Sequence, residues 1–319
     1  MNKIELEHVS YVYGPGTPFE KKALDDVTLG IRAGCITGVI GHTGSGKSTM
    51  MQLLNGLSAP TDGRVLLDGY DINGTPEQLF DQLRDLPEFR GLSRRALKKA
   101  VKAEIIKRRR ALCFRVGLVM QYPEYQLFEE SVSRDIAFGP QNMGLDEEEI
   151  KARVLEAAKF TGISPELLEK SPFDLSGGQK RRVALAGVIA MRPEVLVLDE
   201  PAAGLDPQGR DFIFEGISRY QKETGTTVLI VSHSMEDMAR YCDDMIVMAN
   251  GRLLMQGGCK EVFARISELS KVGLDIPQIT QLIALLRERG LEIPADIYTV
   301  EDAVAAVRRA LEGRKEERA

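Results

Sequence analysis

The chain has 319 residues, of which 43% are hydrophobic and 28% are charged, so it can bury a sizeable core without disulfide or metal staples. Its formal net charge of −5 disfavours a duplex-binding surface, which needs a basic face, and we expect no nucleic-acid partner. The four cysteines form no Cys-x-x-Cys pair and the three histidines are scattered, so reduced intracellular thiols are expected rather than a zinc site.

The amino-terminal segment, MNKIELEHVSYVYG, lacks the apolar stretch of a secretory signal. The longest apolar runs fall well short of the roughly 20 residues that cross a bilayer. We therefore expect a soluble chain whose membrane role would depend on a partner.

Five short apolar runs, each bounded by turn residues, predict the strands of one sheet. They show no polar alternation, which is typical of strands buried on both faces, and lie at 36–40, 116–120, 195–198, 228–231 and 245–248. Helical spacing between several of them predicts a layered α/β fold with a parallel sheet. A helix is expected to start at Glu147 with Asp146 as its cap and with Ile150, Val154 and Ala157 on one face.

Two further regions differ from this pattern. Residues 93–110 hold nine lysines and arginines, which favours either a solvated helix face or contact with anionic lipid headgroups. Beyond about residue 260 the strands stop and two amphipathic helices are predicted. The apolar face of the first is formed by Ile279, Leu282, Ile283 and Leu286. The second starts at Thr299, with Asp302 in a capping position, and repeats Val300, Val304 and Val307.

Residues 41–48, GHTGSGKS, fit the pattern G-x-x-x-x-G-K-[ST] and follow the run 36–40, as a phosphate-binding loop must. The glycines let consecutive backbone N–H groups surround the phosphates, and the helix that begins near Lys47 adds its positive dipole end. Lys47 supplies a positive charge, and the Ser48 hydroxyl is a candidate Mg²⁺ ligand. The candidate phosphate-binding residues are Gly41, His42, Thr43, Gly44, Ser45, Gly46, Lys47, Ser48 and Thr49.

The run 195–198 ends in two acids, Asp199 and Glu200. Such a strand end alone could be a plain helix cap. Beside a phosphate-binding loop it predicts a nucleotide site, in which Asp199 holds Mg²⁺ and Glu200 orients the attacking water.

The sequence Leu-Ser-Gly-Gly-Gln at 175–179 narrows the class of nucleotide-binding protein. By itself it could be a turn followed by a helix start, but it also suits an anion-binding helix end used against another subunit's nucleotide. The chain resembles the ATP-binding-cassette family, whose signature is LSGGQ and precedes the strand with the two acids, as it does here.

This resemblance implies roles for further residues. Gln121 matches the glutamine that senses Mg²⁺ and the membrane subunit, and Asp206 lies in a loop, AGLD, at the dimer interface. His233 matches the switch histidine at the γ-phosphate, while Ser176 and Gly178 would contact the nucleotide of the partner. Tyr13 matches the aromatic residue that stacks on adenine, although Tyr11 and Phe19 are alternatives.

The same resemblance implies the fold and its domains. It predicts a P-loop NTPase nucleotide-binding domain over residues 1–258, with a RecA-like core and an N-terminal antiparallel β-subdomain. The helical subdomain that carries the signature would span about 122–180. A helical C-terminal extension, 259–319, would contribute to a dimer contact.

A narrower resemblance is to the ATPases of the energy-coupling-factor importers, carried by GTPFE at 16–20, GHTGSGKST, QYPEYQLFEE, IAFGP and DEPAAGLDP. The His-Thr pair of the loop is more similar to the second of that family's two paralogues. The resemblance implies ATP and Mg²⁺ as cofactors, import of a vitamin or a transition-metal ion, and a peripheral position on the cytoplasmic face of the membrane. The connection 74–110 is longer and more basic than is usual in that family, and its role is open.

The implied partners are a second ATPase, joined head to tail, a membrane T subunit and a substrate-binding S subunit. The T subunit of that family carries arginines, so Glu124, Glu129 or Glu130 is expected to receive one. The alternatives are the ATPase of an ordinary importer or exporter, and a non-transport cassette ATPase.

Overall fold

The computed structural model of the chain describes residues 1–72, 84, 93–274 and 276–316. About half of the long connection noted above, residues 74–83 and 85–92, lies outside the described residues. In the described part of the chain, the last strand ends at Gly258, and only helices follow it in the C-terminal extension.

A six-stranded sheet forms the centre of the fold, in the order β10-β9-β3-β8-β7-β6. Five strands are parallel and the edge strand β10 is antiparallel to β9. The strands are β3 (Ile36–Ile40), β6 (Val116–Val119), β7 (Val195–Asp199), β8 (Thr227–Val231), β9 (Asp244–Ala249) and β10 (Arg252–Gly258). The five predicted parallel strands are therefore confirmed to within one residue at each end.

A second, antiparallel sheet of order β2-β1-β4-β5 covers one face of the first. Its strands are β1 (Asn2–Tyr13), β2 (Lys21–Arg32), β4 (Asp62–Leu67) and β5 (Tyr70–Asp71). The N-terminal β-subdomain expected from the resemblance is present. Alternate residues of the parallel strands face two separate cores, which explains why these strands show no polar alternation.

One helix, the first of the chain, packs into the core between the two sheets, and most of the others cover the opposite face of the parallel sheet. The helices are α1 (Lys47–Asn55), α2 (Arg94–Arg115), α3 (Val132–Asn142), α4 (Glu147–Thr161), α5 (Pro165–Leu168), α6 (Gly177–Ile189), α7 (Pro207–Thr224) and α8 (Met235–Tyr241), followed by α9 (Cys259–Ala264), α10 (Ile266–Lys271), α11 (Gln278–Glu288) and α12 (Val300–Glu316). Helices α3, α4 and α6, which lie between β6 and β7 in the sequence, pack on one another and form a helical layer. The predicted cap of α4 is confirmed, because the Asp146 carboxylate accepts the N–H of Glu149 at 2.9 Å.

The C-terminal helices have a small core of their own, which contains Ile283, Ile297 and Ala303. The prediction for the apolar face of α12 is wrong for Val300 and Val304, which are exposed, whereas Val307 packs against this core beside the buried alanines of the helix.

The basic block forms most of α2, a helix that buries Leu97, Val101 and Leu112. Within the described part of the chain, seven of its basic side chains have neither an ion-pair nor a hydrogen-bond partner, namely Arg94, Arg95, Lys98, Lys99, Lys102, Lys107 and Arg109. Among the described residues, no helix combines the length and the apolar character that a bilayer span requires.

Candidate nucleotide-binding site

The phosphate-binding loop connects the end of β3 to the start of α1 at Lys47. A Cβ atom on Gly41 would lie 2.3 Å from the carbonyl oxygen of Met248, and one on Gly46 would lie 2.6 Å from that of Ala23. Both positions also have positive φ, so glycine is required at each. The loop is thus held close to the backbone of the neighbouring strands.

Lys47 is buried under this loop, and its ammonium donates to the carbonyl oxygens of Gly41 at 2.5 Å and His42 at 2.9 Å. Burial lowers the pKa of Lys47, while Glu200 and Asp199 raise it. Ser45 places a buried hydroxyl in the loop with no hydrogen-bond partner among the described residues. A phosphate oxygen would satisfy this hydroxyl, so the loop fits a nucleotide phosphate. The crest of the loop, Thr43 and Gly44, is exposed.

Ser48 and Asp199 meet at the carboxyl edge of the sheet, where the serine hydroxyl donates to the Asp199 carboxylate at 3.1 Å. Burial raises the pKa of Asp199, and the Ser48 bond and Lys47 oppose this rise. A hydroxyl and a carboxylate oxygen side by side fit the oxygen ligands that Mg²⁺ prefers. Gln121 follows β6 at the same edge, since Val119 of β6 lies opposite Leu198 of β7.

Glu200 and His233 face each other across the ends of β7 and β8, with Glu200 Oε1 3.5 Å from His233 Nε2. Glu200 Oε1 is buried without a hydrogen-bond partner in the described part of the chain. Burial, and then the charge of Asp199, raises the pKa of Glu200 to about 7. Burial, and then Lys47, lowers the pKa of His233, which favours the neutral imidazole. The pair thus offers an unsatisfied carboxylate oxygen next to a neutral imidazole.

This raised pKa predicts how stability depends on pH. Between the ordinary pKa of a glutamate and about 7 the folded state binds the extra proton, so the free energy of unfolding falls as pH rises through this window. Glu200→Gln removes the buried charge and should raise the free energy of unfolding at pH 8 by on the order of 1–3 kcal/mol, and by much less at pH 5. Urea denaturation of both proteins without nucleotide measures this difference. A difference that is the same at both pH values would contradict the assignment.

Ser176 and Gln179 form a reciprocal cap at the start of α6. The Ser176 hydroxyl accepts the N–H of Gln179 at 3.3 Å, and the Gln179 amide oxygen accepts the N–H of Ser176 at 2.9 Å. The Asp206 carboxylate caps α7 by accepting the N–H of Gly209 at 2.7 Å. Ser176, Gly178 and Asp206 line one surface cleft of about 510 Å³. The structure therefore brings the signature and the AGLD loop together.

Tyr13 lies beside the first turn of α1, and its hydroxyl is 3.1 Å from the hydroxyl of Thr49. Its ring is 42% exposed and stands edge-on to that of Tyr11 at 4.8 Å. Tyr11 packs partly into the core and Phe19 is 86% exposed. Of the three candidates, Tyr13 combines a contact to the loop helix with an accessible face.

Two contacts at this site were missed by the sequence analysis. His42 of the loop touches the C-terminal extension, where a Cβ on Gly273 would lie 3.2 Å from its ring. The buried guanidinium of Arg181 binds the Glu124 carboxylate at 3.1 and 3.2 Å and donates to the carbonyl oxygen of Ala203. Glu124 thus meets an arginine of its own chain. No sequence signal marks either contact, because each joins segments far apart in the chain.

The ABC transporter family profile matches residues 24–203, which include the loop, Gln121, the signature and both acids. The energy-coupling factor transporter ATP-binding protein EcfA2 of Clostridium acetobutylicum is 49% identical over 313 residues, which cover 98% of this chain and 99% of that protein. The protein of the same name from Symbiobacterium thermophilum is 49% identical over 312 residues and covers 98% of each chain.

Solved structures of related ATP-binding proteins have a similar fold. The structure of cbiO1 from Clostridium perfringens, described as part of the ABC transporter complex cbiONQ, has a TM-score of 0.66 and 38% identity and covers 89% of this chain and 99% of that one. The ATP-binding cassette MJ0796, in a dimeric state bound to ADP and phosphate, has a TM-score of 0.62 and 26% identity and covers 80% and 98%. The chain therefore belongs to the ABC transporter family and, within it, to the energy-coupling factor transporter ATP-binding proteins.

Proposed function

We propose that this ATPase is the motor subunit of an importer, and that it drives uptake of a vitamin or a transition-metal ion. The observation that carries the proposal is the convergence of Lys47, Asp199, Glu200 and His233 at one sheet edge in a chain of this family. The relatives of nearly full length named above favour it over the alternatives, an ordinary importer or exporter ATPase and a non-transport ATPase.

Different residues of the chain bind the phosphates, hold Mg²⁺, orient water and stack on the adenine. The loop amides and Lys47 bind the phosphates, while Ser48, Asp199 and Gln121 would hold Mg²⁺, which when bound neutralises phosphate charge. The Glu200 carboxylate orients water and accepts its hydrogen bond, and His233 donates from its neutral ring to the γ-phosphate. Tyr13 stacks on the adenine.

The second nucleotide contact comes from a partner ATPase in a head-to-tail pair. The cleft with Ser176, Gly178 and Asp206 presents the start of α6, whose free N–H groups suit a phosphate bound to the partner's loop. ATP closes the pair and hydrolysis lets it reopen, since the closed state binds ATP more tightly than ADP. The C-terminal extension, 259–319, adds a further contact between the two ATPases.

A groove between α2 and the helical layer is the proposed docking site for the membrane T subunit, which in turn holds the S subunit. Its volume is about 400 Å³, and its apolar lining includes Phe114, Phe128 and Phe138. The rings of Phe128 and Phe138 are exposed and stand edge-on at 4.9 Å. An exposed aromatic groove of this kind suits a partner helix.

Glu129 and Glu130 directly follow Phe128 of this groove. Glu130 pairs with Arg134 of its own chain, so Glu129 is the acid that remains for an arginine of the T subunit. Replacing both by glutamine should impair assembly, because loss of one partner of a partly buried pair costs on the order of 2–5 kcal/mol. Assembly is measured by co-purification, beside ATP binding, which should stay unchanged. Glu147→Gln with Glu148→Gln, two exposed acids of α4, is the control. Normal assembly of the double variant would show that these acids are ordinary surface residues.

The basic face of α2 provides a second test of the position at the membrane. If the face contacts anionic headgroups, each lysine or arginine near the surface contributes about 1 kcal/mol. Vesicle sedimentation should then show binding that grows with anionic lipid content and falls with salt. Binding that depends on neither anionic lipid content nor salt would indicate that the basic face is simply solvated.

The motor assignment is tested on the complex isolated through the tagged chain. We expect it to hydrolyse ATP, and to lose this activity with Lys47→Ala while remaining assembled. A complex that forms normally but hydrolyses no ATP would contradict the proposal.

A further inference from the structure

Arg181 joins two segments that the sequence keeps well apart. It lies in the first turns of α6, and its side chain is only 5% exposed. Nε and Nη2 bind both carboxylate oxygens of Glu124 at 3.1–3.3 Å, and Nη1 donates to the carbonyl oxygen of Ala203. One planar cation therefore spans from the turn after Gln121 to the turn after Glu200.

The Glu124 end of this link lies two residues before Gln126, which lines the groove. Glu124 lies in a 3-10 helix, Pro123–Gln126, that follows Tyr122 in a left-handed conformation and buries Pro123. The same segment continues to Phe128, whose N–H donates to Asp135 at 3.3 Å. A partner that shifts the exposed Phe128 would therefore also shift the carboxylate of Glu124.

The Ala203 end belongs to the catalytic edge. The N–H of Ala203 donates to the carbonyl oxygen of Glu200 at 3.2 Å, and this turn leads into the Asp206 cap of α7. Glu200 itself has a positive φ of 52°, an uncommon conformation for a residue with a side chain, so its placement depends on the surrounding turn. A displacement of the Ala203 carbonyl would therefore shift the positions of Glu200 and Asp206.

We propose that Arg181 is a positioning residue that transmits occupancy of the groove to the turn 200–206. A buried guanidinium suits this task because its fork fixes direction as well as distance, and because removal of one partner leaves the other charge buried and unpaired. The proposal deepens the proposed function, in which the groove holds the T subunit, but the link itself is a property of the isolated chain.

Hydrogen exchange on the isolated chain tests the link without any membrane partner. Glu124→Gln alters only the groove end, yet it should speed exchange of the amides in 200–206 by about tenfold. Arg181→Lys keeps the charge but loses the fork, and should have a similar effect. The double variant should show no more than either single change, since both break one connection. An unchanged turn 200–206 in Glu124→Gln would overturn the proposal.

Arg153→Lys is the matched control. Its guanidinium also joins a carboxylate, Glu149 at 2.7 Å, to a backbone carbonyl, Met191 at 3.2 Å, but within the helical layer. It should leave exchange in 200–206 unchanged. If it speeds exchange there as much as Arg181→Lys does, the effect is general loosening and the proposal is wrong.

ATP hydrolysis by the complex supplies the functional readout. Arg181→Lys should lower kcat by about tenfold while KM and ATP affinity change little, because the nucleotide contacts stay in place. A parallel loss of ATP affinity would indicate a purely structural role and contradict the proposal. A wild-type complex without ATPase activity would instead contradict the proposed function, while the exchange experiment still decides on the link.

Discussion

Glu200→Gln is expected to reduce ATP turnover by about 10²–10⁴-fold while leaving ATP affinity nearly unchanged. The carboxylate follows Asp199 at the end of β7, is buried, and keeps Oε1 without a hydrogen-bond partner among the described residues. It is therefore the group best placed to accept a proton or a hydrogen bond from water. The glutamine is of nearly the same size and removes the charge, so binding of the phosphates by Lys47 and the loop should persist.

The measurement is steady-state hydrolysis by the assembled ATPase pair, beside binding of a fluorescent ATP analogue. Glu166→Gln, an exposed glutamate at the start of α5, is the control for a lost carboxylate. If Glu200→Gln retains more than roughly a tenth of the normal rate, another group orients the water.

Gly178→Asp should abolish hydrolysis of the nucleotide bound to the partner, with a loss of about 10²-fold or more, because it places a carboxylate beside the γ-phosphate. Within its own chain the change is tolerated: a Cβ on Gly178 meets only the side chain of Leu205, at 3.4 Å, and its φ is not in the left-handed region. The chain should therefore fold normally and bind ATP in its own loop.

The test compares ATP binding by the isolated variant with hydrolysis by the pair. Ala103→Asp, which adds the same charge to an exposed position of α2, is the control. The isolated wild-type chain should hydrolyse ATP weakly and improve when a paralogous ATPase is added. Full activity of a monomer at high dilution would show that Ser176 and Gly178 are not used by a partner's nucleotide.

Much of the fold could be predicted because the parallel strands are buried on both faces. A run such as 228–231 has no polar alternation, since its alternate residues fill the two cores on either side of the sheet. The convergence of Ser48, Asp199 and His233 follows from the same topology, because carboxyl ends of parallel strands share one edge. Local motifs and one topological rule were therefore enough to place the main candidates.

Other features could not be predicted, because they depend on how distant segments pack. The pairing of Arg181 with Glu124 requires the relative position of the helical layer and the core sheet, which no local pattern encodes. The contact between His42 and Gly273 likewise depends on where the extension crosses the loop. Val304 shows the limit of periodicity: its helix has apolar residues on more than one face, and packing selects the alanines.

The most direct test of the motor assignment is isolation of the tagged chain from membranes of the organism that makes it, after mild detergent extraction. We predict that a second cassette ATPase and a polytopic membrane protein co-purify with it, together with a small membrane protein that binds the substrate, and that the assembly hydrolyses ATP. Recovery of the chain with ribosomal or chromosomal proteins, and without any membrane protein, would contradict the account.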